Sequence, residues 1–422
     1  MIVIVEPQCL GLSHEKVNSG FLYLIRKAFP NEKIVVFADK SHINSLKYII
    51  KYDNLIIDNI SFRNIFVPKF FTPLRSLCFF INLAIAGYFI NWRNVRQIYF
   101  LSFSPLILEM FFPLIKRLKH DIKVLMVLHG GFEEIKPKIT IEESKGIYVQ
   151  FNLTGYVLNF SFQKFIYFIE RIKNNLFRSL EIKLSSFTSY RKVLLNDKAD
   201  RIKFISLAPY IINNAAKYID IQKINFVQIT LPTVFKNISY DRIYSKPNLC
   251  LAIFGYGNSK LLKELCKHIN NNLDLIGAKL TIRIIGMDNS GLENFDFVEC
   301  YKPGQVKLRE EMENQLDDVD FFLILYENHK YELSCSGSIL EALSYRKPII
   351  HIDNPCINFF NDSLMPIGWR FENIELLAKG IFEIIENEDI SNILKDFRQN
   401  IDSLRLKYGI DQQVSKLKLS LN

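Results

Sequence analysis

The stretch SCSGSILEALSYRKPIIHID, Ser334–Asp353, decides the fold. Small residues, Ser336-Gly337-Ser338, open a helical run expected over 337–345. Glu341 sits one turn further in, Pro348 breaks the pattern, and Ile349-Ile350-His351-Ile352 reads as a buried strand over 348–352. A helix feeding a short apolar strand is the unit of a parallel sheet covered on both faces. The first turn of a helix presents unpaired backbone N–H groups with partial positive charge. Small residues there let an anion such as a diphosphate come close. Glu341 does not suit a phosphate; its carboxylate accepts hydrogen bonds from vicinal hydroxyls such as those of a ribose. The element could therefore hold both halves of a nucleoside diphosphate. On this stretch alone a serine-capped helix with a solvated glutamate is an equal reading.

Working outward, the same alternation recurs. In the first half, apolar strands are expected at 2–5, 34–37, 55–57, 97–101 and 122–128, with helices at about 17–29, 41–50, 70–91 and 104–119. Strands at 202–207 and 224–230 flank a short helix, and an aromatic, basic helix is expected within 158–180. The segment 231–248 has two prolines and no periodicity and reads as a linker. Alternation then restarts: strand 249–254, helix 258–270, strands 279–285 and 296–299, helix 305–316, strand 320–325. Helices at about 373–387 and 389–406 and a tail end the chain. This predicts two doubly wound α/β domains with ligands at the carboxyl ends of the strands.

The bulk properties agree. A chain of 422 residues exceeds one compact core. With 49% hydrophobic and 23% charged residues it is globular rather than disordered. The net charge of +9 favours anionic partners. Seven scattered cysteines form no CxxC pair and read as reduced thiols. MIVIVEPQ reads as a first strand, not a signal peptide. The uncharged run 76–92 is short for a membrane span and contains Asn82 and Gly87. No zinc-ligand spacing or GxSxG occurs, and Asp317-Asp318-Val319-Asp320 reads as a helix end plus strand entry.

Residues 320–352 resemble the C-terminal signature of GT-B glycosyltransferases, especially the retaining family 4, through Glu341-Ala342 and Pro348-Ile349-Ile350. The resemblance implies a GT-B fold, two Rossmann-like domains facing across a cleft. It implies an N-terminal acceptor-binding domain over 1–235, joined by the C-terminal helix at about 400–422, and a donor-binding domain over 236–400. It implies that Glu341 binds the donor ribose and that the backbone of Ser336, Gly337 and Ser338 holds phosphate. Gly255 and Lys260 match the glycine and lysine at the start of the family's second domain, with Tyr256 where the family has arginine. Lysine can neutralise a phosphate as a point charge, but the bidentate grip of arginine is absent. The turn Tyr301–Gly304 would lie near the base. The family separates its two glutamates by seven residues; here Glu332 and Glu341 have eight between them, so Glu332 or Glu327 would reach the sugar through a changed loop and the stereochemistry stays open.

In the first half, His129-Gly130-Gly131 ends a strand, a position where these enzymes place a histidine against the donor; His129 is also an acid–base candidate. The polar loop after the first strand offers His14, Glu15, Asn18 and Gly20, with His14 or Glu15 the base if the enzyme inverts. The expected activity is a metal-independent glycosyltransferase, without a cofactor, using a nucleotide-sugar donor and a glycan or lipid-linked acceptor in bacterial surface polysaccharide or glycolipid synthesis. Lys260 and the 336 helix start would support the leaving diphosphate. Basic, aromatic stretches at 66–96 and 160–192 suit peripheral contact with the inner face of the cell membrane, a cytoplasmic location. No nucleic-acid-binding module is present. The rivals are a nucleotide-sugar 2-epimerase on the same fold and a non-catalytic nucleotide-sugar-binding scaffold.

Overall fold

The computed structural model describes residues 1–68, 81, 92–136, 189–238, 248–255, 257–272, 279–286, 291–300 and 309–421. The helices expected at 70–91 and within 158–180, Tyr256 and the turn 301–304 lie outside them. The chain divides into two compact units, Met1–Ser206 with Ile212–Val227, and Leu207–Ile211 with Gln228–Asn422.

The first sheet contains β1 (Ile2–Val5), β2 (Ile34–Ala38), β3 (Ile60–Asn64), β4 (Gln97–Phe100), β5 (Lys123–Val127), β6 (Ile202–Ser206) and β7 (Phe226–Gln228). Their order is β3-β2-β1-β4-β5-β6-β7, and β1 to β6 pair in parallel. Ile2, Val3, Ile4 and Val5 are all buried, because β1 is central and covered on both faces. Helices α1 (Glu15–Ala28), α2 (Lys40–Tyr52), α3 (Pro105–Arg117) and α4 (Tyr190–Leu194) accompany it; α5 (Pro209–Ala215) follows β6. Asp39 and Ser104 cap α2 and α3 by accepting from Ser41 N and Ile107 N.

The second sheet repeats the plan with β8 (Leu249–Phe254), β9 (Leu280–Ile285), β10 (Val298–Glu299), β11 (Phe321–Ile324), β12 (Ile349–Ile352) and β13 (Gly368–Phe371), ordered β10-β9-β8-β11-β12-β13 and parallel throughout. Its helices are α6 (Ser259–Asn270), α7 (Arg309–Glu313), α8 (Gly337–Ser344), α9 (Pro355–Phe360), α10 (Ile374–Glu386), α11 (Ile390–Tyr408) and α12 (Ile410–Leu421). Leu251, Ile253, Ile282, Phe321 and Leu323 form one core with Leu262, Leu265, Leu377 and Ile381 of α6 and α10.

The opening stretch folds as read, with a refinement at its turn. Arg346 takes a left-handed conformation (φ 52°), and the amide of Lys347 returns to Ala342 O at 2.9 Å. Lys347 is 1% exposed and donates to Val319 O at 2.6 Å, so this cation is structural. The acidic run before β11 is structural too: Asp320 accepts from Cys250 N at 2.8 Å and Asp318 pairs with Arg283.

Four expectations need correction. The third strand lies at 60–64, not 55–57. It is an edge strand with polar residues, so it lacks the apolar run that marks a central one, and Ile56 is 79% exposed in coil. The described start of the expected linker is tucked in: Leu231 and Thr233 are buried, and Arg405 and Arg346 bond the carbonyls of Lys236 and Ile238. Helix α9 and strand β13 appear where no element was expected. The C-terminal helix expected at about 400–422 is divided at Gly409 into the end of α11 and α12, whose Gln413 accepts from Thr230 N at 2.7 Å.

Candidate active site

In each sheet the strand order reverses beside the first strand, between β1 and β4 and between β8 and β11. Such switch points leave a crevice at the carboxyl ends of the strands. The candidate residues gather at these two places, one in each unit.

In the second unit, Gly255 follows β8 with φ +84°, a conformation that favours glycine, and donates to Ile285 O at 2.8 Å. A Cβ at Gly255 would lie 3.7 Å from Ser338 Oγ, which itself donates to Phe254 O at 3.3 Å. The strand end therefore sits against the first turn of α8. Ser336 does not cap that helix. It is fully buried and its hydroxyl pairs with Tyr326 OH at 2.8 Å. Gly337 is exposed, with nothing within 4 Å of where a Cβ would be, so the first turn of α8 is open at this residue. Lys260 stands exposed in the first turn of α6, which Asn258 caps by accepting from Lys260 N and Leu261 N at 3.1 Å each. Two helix starts and an ammonium thus accompany the chain segment leaving β8.

Glu341 lies deeper and is not a solvated carboxylate. Arg309 Nη2 donates to its Oε2 at 2.6 Å. The same guanidinium donates through Nε to Glu313 Oε1 at 2.8 Å and through Nη2 to Tyr345 OH at 2.7 Å, and Tyr345 donates on to Glu313 at 2.6 Å. Lys236 Nζ donates to Glu313 Oε2 at 2.8 Å. Charges alternate along Lys236, Glu313, Arg309 and Glu341. The guanidinium also lies 4.9 Å over the Phe254 ring. Burial works against the charge on Glu313, but Lys236, Tyr345 and Arg309 hold its carboxyl down to about 2. Burial likewise opposes the Arg309 charge, but Glu341, Tyr345 and Glu313 raise its pKa well above the ordinary range. Glu332 is half-buried in the turn between β11 and α8, next to Tyr331 in a left-handed conformation (φ 60°). Glu327 is in the same turn, with His329 Nε2 at 3.5 Å.

In the first unit the centre is a residue the sequence reading passed over. Glu6, directly after β1, is fully buried. Its Oε1 accepts from Gln8 N at 2.9 Å, from Cys9 N at 3.0 Å and from Ser102 Oγ, which arrives from the end of β4. Its Oε2 accepts from Asn18 Nδ2 at 3.1 Å. Glu6 and Ser102 therefore close the switch point with a hydrogen bond. Asn18 Nδ2 also lies 2.9 Å from His42 Nε2, and His42 Nδ1 lies 2.9 Å from Gly11 O. These partners fix the protons: the Asn18 nitrogen must face the carboxylate, so His42 Nε2 accepts and Nδ1–H donates. Ser41 Oγ accepts from Gly11 N at 3.0 Å, so the loop is held at Gly11 on both sides.

That loop ends at His14, itself left-handed (φ 54°). The His14 ring lies 5.2 Å from that of His129, centroid to centroid. The two candidate histidines, far apart in sequence, are thus neighbours. Desolvation lowers the His129 pKa to about 4, with His14 adding to the effect and Glu6 and the Leu101 backbone opposing it. Desolvation also lowers that of His14, against the pull of Glu6. Desolvation favours the neutral form of each ring, the form that can accept a proton. Glu15 opens α1 and is half-buried; Asn18 and Gly20 are buried. Gly131 has a packing role, since a Cβ there would overlap Tyr190. The described residues hold no group of His, Cys, Asp and Glu side chains that could bind a metal ion.

Glu6 had a legible signal, a carboxylate directly after an all-apolar strand, with a polar glycine-bearing loop behind it. Arg309, in the charged run REEME, had none, because its partners are 32 residues away at Glu341 and 36 at Tyr345.

No family model and no curated protein matches the sequence. The fold does have relatives among solved structures. A glycosyltransferase from Rickettsia africae superposes with a TM-score of 0.59 at 11% identity, covering 99% of this chain and 97% of that one. WaaG, a glycosyltransferase involved in lipopolysaccharide biosynthesis, gives 0.56 at 9% identity over 99% and 98%. HepE from Anabaena, in complex with UDP and glucose, gives 0.56 at 11% identity over 100% and 98%. The fold is GT-B. At these identities the likeness carries the architecture, and the chemistry must be argued from the residues.

Proposed function

We propose that this chain is a glycosyltransferase that moves a sugar from a nucleotide-sugar donor to a saccharide acceptor, lipid-linked in the setting of bacterial surface polysaccharide or glycolipid synthesis. The observation that carries the reading is the crevice of the second sheet. There Gly255, the open start of α8 at Gly337 and the carboxylate of Glu341 follow one another at the switch point. Glu341 takes the ribose, and the backbone at 336–338 with Lys260 takes the diphosphate as it leaves. Retaining family 4 resemblance supports this assignment, and the relatives crystallised with UDP make UDP-sugars the first donors to test.

In the first unit His14 and His129 are the acid–base candidates, with Glu15 there and Glu332 of the second unit as further candidate catalytic residues. A neutral imidazole of low pKa can take a proton from an acceptor hydroxyl without first losing its own. The domain assignment proposed is acceptor binding by the N-terminal unit and donor binding by the C-terminal one. No helix among the described residues is long and apolar enough to cross a membrane. Action at the cytoplasmic face, through the basic aromatic stretches, is part of the proposal.

The test is a thermal-shift panel of nucleoside diphosphates and nucleotide sugars on the wild type, Lys260→Ala and Glu341→Ala. A ligand at 100 times its Kd stabilises by about 2.7 kcal/mol. A shift with one nucleoside diphosphate that both substitutions diminish is the expected result. No shift with any nucleotide would remove the reading.

A further inference from the structure

We propose that Arg309 is a nucleoside-recognition residue which, with Glu341, forms a donor–acceptor pair for the vicinal hydroxyls of the donor's ribose. The inference rests on the donor-pocket reading above and adds a residue to it from an element outside the matched motifs. Among the described residues its guanidinium is held on every side but one. Nε is committed to Glu313, Nη2 to Glu341 and Tyr345, and the plane lies over Phe254. Nη1 makes no hydrogen bond among the described residues.

The chemistry of a diol fits this pair. Each hydroxyl offers one O–H donor and accepting lone pairs. An ionised glutamate only accepts, and a guanidinium only donates. Held 2.6 Å apart, the two present an acceptor beside a donor. One hydroxyl can donate to Glu341 while an oxygen of the diol accepts from Nη1. The rigid fork of arginine, held at two corners, loses little freedom in making that contact. A lysine would reach Glu341 as a point charge without the third fixed donor.

A phosphate is the poorer partner for Arg309. Its charge is already offset by Glu313 and Glu341, and with Lys236 the four groups sum to zero. The phosphate-binding features, the open helix start and Lys260, are separate from this chain of charges.

The test uses the full chain and isothermal titration. UDP, ADP, GDP and CDP are titrated first, and the tightest is compared with its 2′,3′-dideoxy counterpart on the wild type, Arg309→Lys, Arg309→Met and Lys260→Ala. Charge-assisted hydrogen bonds predict that removing the hydroxyls weakens wild-type binding by about tenfold or more. In Arg309→Met and Arg309→Lys, affinity for the ribonucleotide falls while that for the dideoxy form holds, so the ratio shrinks severalfold. Lys260→Ala weakens both forms alike and leaves the ratio intact. The proposal is overturned if both forms weaken equally in the Arg309 variants, as a phosphate contact or a purely structural role would require, or if neither changes. Arg309→Lys, which keeps the charge, carries the comparison if Arg309→Met melts early. If no ribonucleoside diphosphate binds the wild type, the donor pocket itself fails, an outcome distinct from a wild-type ratio that Arg309 does not set.

Discussion

Replacing Glu6 with glutamine changes one atom and should loosen the whole loop that carries His14. Three donors converge on Oε1 and one on Oε2. A glutamine can keep its oxygen toward Gln8, Cys9 and Ser102 only by turning its NH2 toward the Asn18 NH2. Turning the Asn18 amide over does not solve this, since its oxygen would then face His42 Nε2. The ring could meet it only by abandoning Gly11 or by taking a second proton while buried. Three charge-assisted bonds become neutral ones, each weaker by about 1 kcal/mol, and one donor is left facing a donor at about 1–3 kcal/mol. Burying an amide in place of a carboxylate returns part of this. A net loss of about 3 kcal/mol remains, which is about 150-fold in a local opening equilibrium. Hydrogen exchange of the segment 6–18 reads it directly. Protection there should fall by about two orders of magnitude, with the second unit unchanged. The cost of Ser102→Ala should be smaller in the Glu6→Gln background than in the wild type, because the two share one bond. Unchanged protection of 6–18, or fully additive losses in that cycle, would refute the reasoning.

Three further predictions follow from the same structure. His129 has a folded pKa of about 4 against an ordinary 6.5, so its contribution to stability is present above about 6.5 and is lost as pH falls toward 4; His129→Gln should flatten that stretch of a melting-temperature profile, and an unchanged slope would exclude the shift. Glu313 is held at about 2 against 4.5, so its contribution is present above 4.5 and lost as pH falls through about 2. Lys236→Met should therefore move acid unfolding of the second unit to higher pH, read from Trp369, which packs on Phe321 and Phe397. Gly368→Ala would drive a Cβ into the Ile349 carbonyl oxygen across the β12–β13 pairing; the variant should melt at least several degrees lower, and a wild-type melting curve would show that β13 can shift away.

The sequence was most readable where burial was complete. IVIV, LCLAIF and IIHI are central strands covered on two faces, and their apolar runs, interrupted only by the buried His351, say so. ISFRN at the sheet edge is covered less, so the same rule misplaced it onto Leu55-Ile56-Ile57. The ends of α8 were legible because small residues and proline punctuate them. The two sites were legible only in part. Residue types mark a helix start that can meet an anion, or a histidine at a strand end, since those are local properties. That Glu341 is gripped by Arg309, or that His14 meets His129, depends on which elements the strand order brings together. No local pattern records that. Lys347 illustrates the converse: a lysine in a turn reads as solvated, yet it is buried with its ammonium on a backbone carbonyl.

The strand order also sets a timetable for synthesis. In both sheets the strand made first is an interior one, β1 between β2 and β4, and β8 between β9 and β11. A ribosome adding about 5–20 residues per second finishes β1 some 5–20 s before β4 emerges to cover its other edge. Through that interval IVIV presents an unpaired, wholly apolar edge, the kind that adds to a neighbouring chain. The second unit repeats the wait between β8 and β11. Slow translation or a crowded polysome should therefore harm the yield of this protein more than its equilibrium stability would suggest, and chaperone demand should fall on the two half-made sheets.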